Sequence, residues 1–454
     1  MKLIFYISIL CRCLYMVRRK RHSYFPMLSL EDQKIMYDRY LSLIISEQER
    51  PEFEKFEDSM IDIKEVNTFR SQIKNDMDIT VLVIDLGGSS LKISLIKCIY
   101  KKDNIKPEFD IIKNKRLDFA VENNIEPLSK YSWNNWVAKK TNEFLNELKN
   151  EAPRIQVPET AALSFSFTIK QTSLSSAEFV ACKKHWWFSP EGLNSNNIVE
   201  DLNKSLNLEK IKIKANCVLN DVIATLMTGF ALNLKNPIGM IIGTGTNAGY
   251  LIKKNDKVVL VNTEWAAFDI DNIFNIDECS KKFFVDGQTK SEYRKLEVLT
   301  AGMKLEEIIK ERIKELEVFE ESEIDSLDTF KIYDICKKVS NSDVNRENIT
   351  LFERTICEVF KDFKKRTYKI LAPMILAAAQ DNDEFSLITN GTILGMEYDN
   401  ILLRKELSKC NKNILPKPKR LIGIYYHENA SLIGAAFTSI IFSRWHHQMP
   451  LASN

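Results

Sequence analysis

Two glycine-rich turns in this sequence have the chemistry to hold the phosphate groups of a nucleotide. The first lies within residues 81–96, between two apolar runs, and contains Gly87, Gly88, Ser89 and Ser90. Glycine lets the backbone approach a ligand closely, and serine hydroxyls can donate hydrogen bonds to phosphate oxygens. The apolar run after Lys92 predicts a second strand, whereas a Walker loop would lead into a helix. The pattern therefore predicts a phosphate-binding hairpin, with an ordinary tight turn as the alternative interpretation.

The second turn follows the same plan in residues 237–252 and contains Gly243, Thr244, Gly245 and Thr246. Its Gly-x-Gly spacing is shared with the dinucleotide fingerprint, but that fingerprint requires a helix directly after the turn. The residues that follow, Tyr250 to Ile252, predict a strand instead. Two matching hairpins predict a nucleotide held between two similar lobes.

Asp221 stands between the two turns, at the start of a predicted helix. Its apolar residues recur at helical spacing at Val222, Ile223, Leu226, Met227 and Phe230. A helix N-terminus favours the ionised form of a carboxylate, which could then accept a proton. A simple N-cap is the alternative role for this residue.

A collinear series of segments, from about residue 80 to residue 437, resembles the motifs of the hexokinase family. The matching segments are residues 85–92, 164–168, 179–188, 219–221, 243–248 and 262–265, followed by Glu297 and residues 301–303. In that order they resemble the first phosphate motif, two parts of the sugar-binding segment, the catalytic segment, the second phosphate motif, a sugar-binding Asn-x-Glu-Trp, and a sugar-binding Glu ahead of Ser-Gly-Met. The order and spacing together are more specific than any single match.

This resemblance implies an α/β architecture, the two-lobed actin-like ATPase (ribonuclease-H-like) fold of the hexokinase type. We predict an N-terminal extension of doubtful status at residues 1–28, a small lobe at 29–222 and a large lobe at 223–454. The apolar stretch before residue 18 is short and contains Arg12, so a signal-anchor and a mis-set start, at Met16 or Met27, both remain open. A helical lead-in is predicted from Ser29 to Ile45.

The resemblance implies ATP-dependent phosphorylation of the 6-hydroxyl of a hexose, glucose or N-acetylglucosamine, with Asp221 as the base. A weak base suffices because phosphoryl transfer has a loose transition state, in which the hydroxyl proton can leave late. The implied sugar ligands are Ser166, Lys183, Lys184, Asn220, Asp221, Asn247, Glu264 and Glu297. The implied ATP ligands are Asp85, Gly87, Gly88, Ser89, Ser90, Lys92, Gly243, Thr244, Gly245, Thr246, Gly391, Thr392 and Ser431. Mg²⁺ would arrive with ATP and reach Asp85 through water, and no resident metal is predicted.

Two of the implied sugar ligands also have ordinary interpretations. Carboxylates and amides are planar polar groups that can each serve two hydroxyls, which suits sugar recognition. Glu264, beside Trp265, could instead be a solvated strand residue. Glu297 could be a surface charge on a charged helix.

The sugar-binding segment departs from the family at residues 183–188, Lys-Lys-His-Trp-Trp-Phe, where a Thr-Lys pair and Gly-Phe are usual. The second ammonium and the two additional indoles of this Lys-Lys-His-Trp-Trp substitution motivate the hypothesis that the pocket accepts a 2-acetamido group. An exposed aromatic loop is the alternative.

The nucleotide side departs at Asn390, where the family has an acid, and at Asn429, Ala430 and Leu432, which remove one charge and two glycines. Fewer glycines narrow the conformations open to this loop. These changes keep a second function open, a catalytically weak hexokinase-like sugar sensor or regulator.

Length and composition agree with an enzyme of two or more domains in the cytoplasm. The chain has 454 residues, 44% of them hydrophobic, and a formal net charge of +2. This charge predicts neither nucleic-acid binding nor attachment to acidic membrane surfaces. The nine cysteines have no metal-ligand spacing. The expected partners are a hexose or amino sugar and ATP, in a monomer or a homodimer.

Overall fold

Two five-stranded sheets with the same strand order organise the molecule. A computed structural model describes residues 23–48, 76–101, 106–181, 186–254, 257–284, 294–340 and 348–448. Its strands are β1 (Met77–Leu86), β2 (Ser90–Tyr100), β3 (Glu108–Asp118), β4 (Thr160–Phe165), β5 (Thr168–Ser173), β6 (Ser176–Ala181), β7 (Lys214–Leu219), β8 (Pro237–Ile242), β9 (Thr246–Lys254), β10 (Lys257–Asn262), β11 (Glu384–Asn390) and β12 (Arg420–Tyr426).

The first sheet has the order β3-β2-β1-β4-β7 and the second the order β10-β9-β8-β11-β12. In each, an antiparallel meander of three strands continues into two parallel strands. The predicted hairpins are therefore confirmed as β1–β2 and β8–β9. They occupy equivalent positions in the two sheets.

The helices cover both faces of the sheets. They are α1 (Leu30–Gln48), α2 (Phe119–Ile125), α3 (Trp133–Glu151), α4 (Ile198–Leu208), α5 (Asp221–Ala231), α6 (Glu278–Lys281), α7 (Lys295–Thr300), α8 (Leu305–Lys314), α9 (Glu321–Asp325), α10 (Thr329–Ser340), α11 (Leu351–Ala378), α12 (Glu397–Ile414) and α13 (Ala430–Gln448). In the described part of the chain, no helix combines the length and apolar character that crossing a membrane requires.

The sequence of β1, the central strand of the first sheet, ends in a nearly continuous apolar run because both of its faces are covered. Alternate residues point to opposite faces of a strand. Leu82 and Ile84 pack in the core that contains α3, while Val81 and Val83 pack in the core that contains α5 and α13. Because both faces are covered, all of the last six residues of β1 are buried.

Two helices lie in the lobe opposite to the one predicted for them. The predicted boundaries place helix α1 in the small lobe, but Met36, Tyr40 and Ile44 are buried in the core of the second sheet. The Tyr40 ring lies 5.2 Å from that of Phe268. Helix α13 was assigned to the large lobe, but it packs on β1, β4 and β7. The prediction is wrong for these helices because an apolar face does not specify which sheet will cover it.

Candidate active site

A cleft between the two sheets collects the predicted site residues. All of those that the structure describes line this one cleft: Asp85, Gly87, Gly88, Ser89, Ser90, Lys92, Ser166, Asn220, Asp221, Gly243, Thr244, Gly245, Thr246, Asn247, Glu264, Glu297, Gly391, Thr392 and Ser431. Lys183 and Lys184 lie outside the described residues. The turns of the two hairpins face each other across the cleft because they occupy equivalent sheet positions.

Asp85 is a buried carboxylate at the end of β1. It accepts hydrogen bonds from the hydroxyls of Ser164, at 2.7 Å, and Ser431, at 3.4 Å. The ammonium of Lys92 lies 3.8 Å away. Burial raises the pKa of the Asp85 carboxyl, and the Asp221 carboxylate adds to this, whereas Lys92 and the two serines oppose it. Ser431 thereby ties the N-terminus of α13 to the first phosphate turn.

Asp221 is the first residue of α5, and the N-cap is its neighbour Asn220. The Oδ1 atom of Asn220 accepts from the Val222 amide at 3.0 Å. The N-cap interpretation of Asp221 is therefore wrong, and its carboxylate has no hydrogen-bond partner among the described residues. The side chain of Asn220, a predicted sugar ligand, is partly committed to holding the helix end. Its Nδ2 atom donates to the Phe165 carbonyl at 3.5 Å.

Glu264 is held by two amides at the opposite side of the cleft. Its Oε1 atom accepts from the Nδ2 atoms of Asn247 and Asn262, both at 3.1 Å. Its backbone is left-handed, with φ at 46°. Left-handed backbone is uncommon outside glycine and persists only where the surroundings enforce it. This network fixes the carboxylate in place, which disagrees with a freely solvated strand residue.

Glu297 is buried and paired with a cation in the cleft wall. The Nη1 atom of Arg294 donates to its Oε2 atom at 2.9 Å, and the two side chains are 14% and 2% exposed. Its other carboxylate oxygen lies against Gly245, where an added Cβ would be 2.2 Å away. Glu297 therefore touches the second phosphate turn, and the surface-charge interpretation is wrong.

Gly391 lies beside the second glycine turn in the cleft and has a conformation that only glycine adopts readily. Its φ is 110°, and an added Cβ would lie 2.3 Å from the Ile242 carbonyl oxygen. Asn390 accepts from the Gly391 amide at 2.6 Å. In this structure the amide that replaces the family's acid serves to orient the glycine.

Two sequence-family profiles, both described as Hexokinase, match residues 54–230 and 237–441. Together they span most of the chain and meet near the end of α5. The chain belongs to the hexokinase family.

Known hexokinases align with parts of this chain. Hexokinase-1 of Rattus norvegicus is 28% identical over 201 residues, which cover 42% of this chain and 20% of the rat protein. Hexokinase-1 of Homo sapiens is 26% identical over 243 residues, covering 50% and 25%. The hexokinase of Schistosoma mansoni is 35% identical over 115 residues, covering 23% and 25%. The alignments thus span a fifth to a quarter of the lengths of these relatives.

Solved hexokinase structures share the whole fold. The Schistosoma mansoni hexokinase complexed with glucose superposes with a TM-score of 0.67 at 18% identity, covering 92% of this chain and 96% of that one. A second hexokinase crystal structure gives 0.58 at 15% identity, covering 97% and 94%. The predicted actin-like ATPase fold of the hexokinase type is confirmed.

The two additional indoles of this hexokinase-family chain do not line the cleft. Trp186 packs against Phe167, with ring centroids 5.1 Å apart, and Trp187 packs against Phe119 at 6.3 Å. Both pack against the aromatic core beside the first sheet. These two indoles therefore do not form a wall of the sugar pocket, and an exposed aromatic loop is wrong for them as well. Lys183, Lys184 and His185 lie outside the described residues, so acceptance of a 2-acetamido group stays a prediction.

Besides Asn390, three polar residues of the cleft wall lie outside the predicted set, namely Arg116, Thr168 and Arg294. Two of them carried a usable signal. Arg116 is the cross-strand neighbour of Lys92, so the two cations share one face of the first sheet. Arg294 precedes Glu297 by three residues, which places both on one side of a helical turn.

His427 gives the loop before α13 a pH dependence. Its Nδ1 atom accepts from the Asn429 amide at 3.1 Å, and burial lowers the pKa of the imidazole despite the Glu428 carboxylate. In the unfolded chain the imidazole has its ordinary pKa, near 6.5. As the pH falls, the unfolded chain is therefore protonated at His427 before the folded protein is. We expect a stabilisation that is complete above about pH 6.5 and lost between the two pKa values. Thermal unfolding at pH 7.5 and pH 5.5 should show a smaller acid-induced decrease in Tm for His427→Gln than for the unaltered protein. An equal decrease in the two proteins would contradict this expectation.

Proposed function

We propose that this protein transfers the γ-phosphoryl group of ATP to the 6-hydroxyl of a hexose, with Asp221 as the base. The observation that carries the proposal is the joint placement of both phosphate turns, Asp221 and the two fixed carboxylates in one cleft. The alignments cover only part of the length of the known relatives, so the proposal rests on the geometry of the cleft.

Each wall of the cleft has a distinct chemical task in this proposal. The turns at residues 87–90 and 243–246 hold the phosphates of ATP from opposite sides, with Lys92 and Arg116 offsetting their charge. Glu264 and Glu297 accept hydrogen bonds from the sugar hydroxyls, and Asn247 can both donate and accept. Asp221 holds the 6-hydroxyl and takes its proton as the bond to phosphorus forms. Positioning and charge stabilisation supply most of the catalysis in such reactions.

The donors present fit a magnesium ion that is bound mainly by ATP. Within the described residues, no group of three or more His, Cys, Asp or Glu could hold a metal. Asp85 offers a carboxylate at the first phosphate turn, and Mg²⁺ commonly uses one or two carboxylates together with substrate phosphates and water. Asp85 would contact the ion through water, and the ion would neutralise charge on the phosphates.

A panel of hexoses with ATP, followed by ADP release, tests the proposal. We expect at least one hexose to support turnover well above that of Asp221→Ala, with the sugar 6-phosphate as product. N-Acetylglucosamine belongs in the panel beside glucose, and a preference for glucose agrees with the inward packing of Trp186 and Trp187. If no hexose exceeds the variant, the kinase proposal fails.

A sugar sensor is the second candidate, and Asn390 is the observation that favours it. This neutral amide lines the cleft where the family places an acid. A sensor would bind a hexose, quench tryptophan fluorescence and release no ADP above the Asp221→Ala background.

Arg294 tests the sugar end of the site by itself. Arg294→Met leaves the Glu297 carboxylate buried without its partner. Hydrogen bonds to charged groups contribute more free energy than neutral ones, so we expect hexose affinity to fall by about tenfold or more. Arg294→Lys retains the charge and should restore part of the loss. Isothermal calorimetry with the preferred hexose measures both, and equal affinity in Arg294→Met and the unaltered protein would remove Glu297 from the sugar site.

A further inference from the structure

Three of the four carbonyl groups of the first phosphate turn accept hydrogen bonds from groups within the protein. The turn at residues 87–90 is closed by the Gly87 amide, which donates to the Ser90 carbonyl at 2.9 Å. The Ser89 carbonyl accepts from the Phe119 amide at 2.9 Å. The Gly88 carbonyl accepts from the indole nitrogen of Trp187 at 3.2 Å. Carbonyl oxygens repel phosphate, so directing them away favours anion binding.

Of these three donors, Trp187 alone is a side chain, and it arrives from a distant segment. The peptide bond between Gly88 and Ser89 is trans, so its carbonyl and its amide point in opposite directions. A carbonyl held toward Trp187, outside the cleft, therefore directs the Ser89 amide toward the cleft. Neither the Gly88 amide nor the Ser89 amide has an acceptor among the described residues.

We propose that Trp187 is a positioning residue for nucleotide binding, which fixes the Gly88–Ser89 peptide so that the Ser89 amide can donate to a phosphate of ATP. The inference rests on the proposed ATP site and adds a residue that does not line the cleft itself. Its ring is kept in place by Phe119, whose own amide holds the next carbonyl of the turn. One aromatic contact thus orients two successive peptides.

The adjacent Trp186 provides a matched control. It is also partly buried, and its indole nitrogen also donates to a backbone carbonyl at 3.2 Å, but that carbonyl belongs to Ser189 in its own loop. Trp186→Phe and Trp187→Phe therefore remove the same group from the same aromatic core. The two variants differ in whether the phosphate turn loses a hydrogen bond.

Calorimetric titration with the non-hydrolysable analogue AMPPNP and Mg²⁺ tests the inference without any turnover. We expect Trp187→Phe to weaken AMPPNP binding by about 2- to 10-fold, as for the loss of one neutral hydrogen bond. Trp186→Phe should leave AMPPNP affinity unchanged, although both variants lower Tm. Hexose affinity should be unchanged in Trp187→Phe, which a general loss of structure would not allow.

Three results would overturn the inference. Equal AMPPNP affinities in the two variants would mean that Trp187 acts only in packing. Absence of AMPPNP binding by the unaltered protein would overturn the proposed function together with this inference, whereas unchanged binding in Trp187→Phe overturns the inference alone. If Trp187→Phe does not fold, nuclear magnetic resonance of the unaltered protein replaces the titration. AMPPNP must then shift the indole N–H resonance of Trp187 and leave that of Trp186 in place.

Discussion

Replacing Asp221 by Asn is expected to lower kcat by about 10²- to 10⁴-fold while hexose affinity changes by only a few fold, because the amide keeps the shape and loses the proton acceptor. The carboxylate is available for this role, since Asn220 caps α5 in its place. Helix α5 should remain intact in the variant for the same reason. Coupled measurement of ADP release gives kcat, and equilibrium titration gives the hexose affinity.

Asp110→Asn is a suitable control, because Asp110 is exposed on β3 and lies outside the cleft. It removes the same charge from the same lobe and should leave both kcat and KM unchanged. If Asp221→Asn retained more than about a tenth of the kcat, the base assignment would be wrong, given the usual contribution of such a base.

The hairpins and the start of α5 could be predicted because they depend on local signals. Residues 81–96 alternate two apolar runs with a glycine turn, and residues 221–231 carry an apolar stripe at helical spacing. The site residues followed from motif order. Each motif lies at a strand end or turn whose place in the sheet is fixed by its strand.

The remaining contacts depend on which surfaces meet in three dimensions. Trp187 carries no local sign that it will face a backbone carbonyl 99 positions earlier in the chain. The first part of α13, Ala430–Ile441, is buried on nearly all sides, so its sequence shows no face that would select one sheet over the other. It lies between α5 and the first sheet, and that choice is made by the complementary shapes of the helices.

The crossing of α5 and α13 joins the two parts of the proposed active site. Asp221 begins α5, and Ser431, which binds Asp85, lies in the first turn of α13. The Thr228 hydroxyl donates to the Ala430 carbonyl across the crossing. The placement of Asp221, the proposed base, relative to the first phosphate turn therefore depends on how closely these helices approach.

Gly434→Ala is accordingly expected to lower stability by about 3 kcal/mol or more, in the upper range for overpacked cores. A Cβ at this position would lie 1.7 Å from the Ala224 carbonyl oxygen and 2.9 Å from the Thr228 amide nitrogen. Both atoms belong to the backbone of α5, so the helices must separate, which also displaces Asp221 from Ser431. Urea unfolding measures the stability, and kcat at low temperature, where the variant is still folded, measures the displacement.

Gly243→Ala is the control variant. It distinguishes a loss of stability caused by the steric clash from one caused by adding a methyl group to any glycine. Among the described residues, a Cβ at Gly243 would meet only the Gly391 Cα, at 3.8 Å, which is ordinary contact. We expect its urea midpoint to stay close to that of the unaltered protein, whereas that of Gly434→Ala moves far lower. Equal midpoints would show that α13 can move away from α5 at little cost. The close crossing would then not be what holds Ser431 near Asp85.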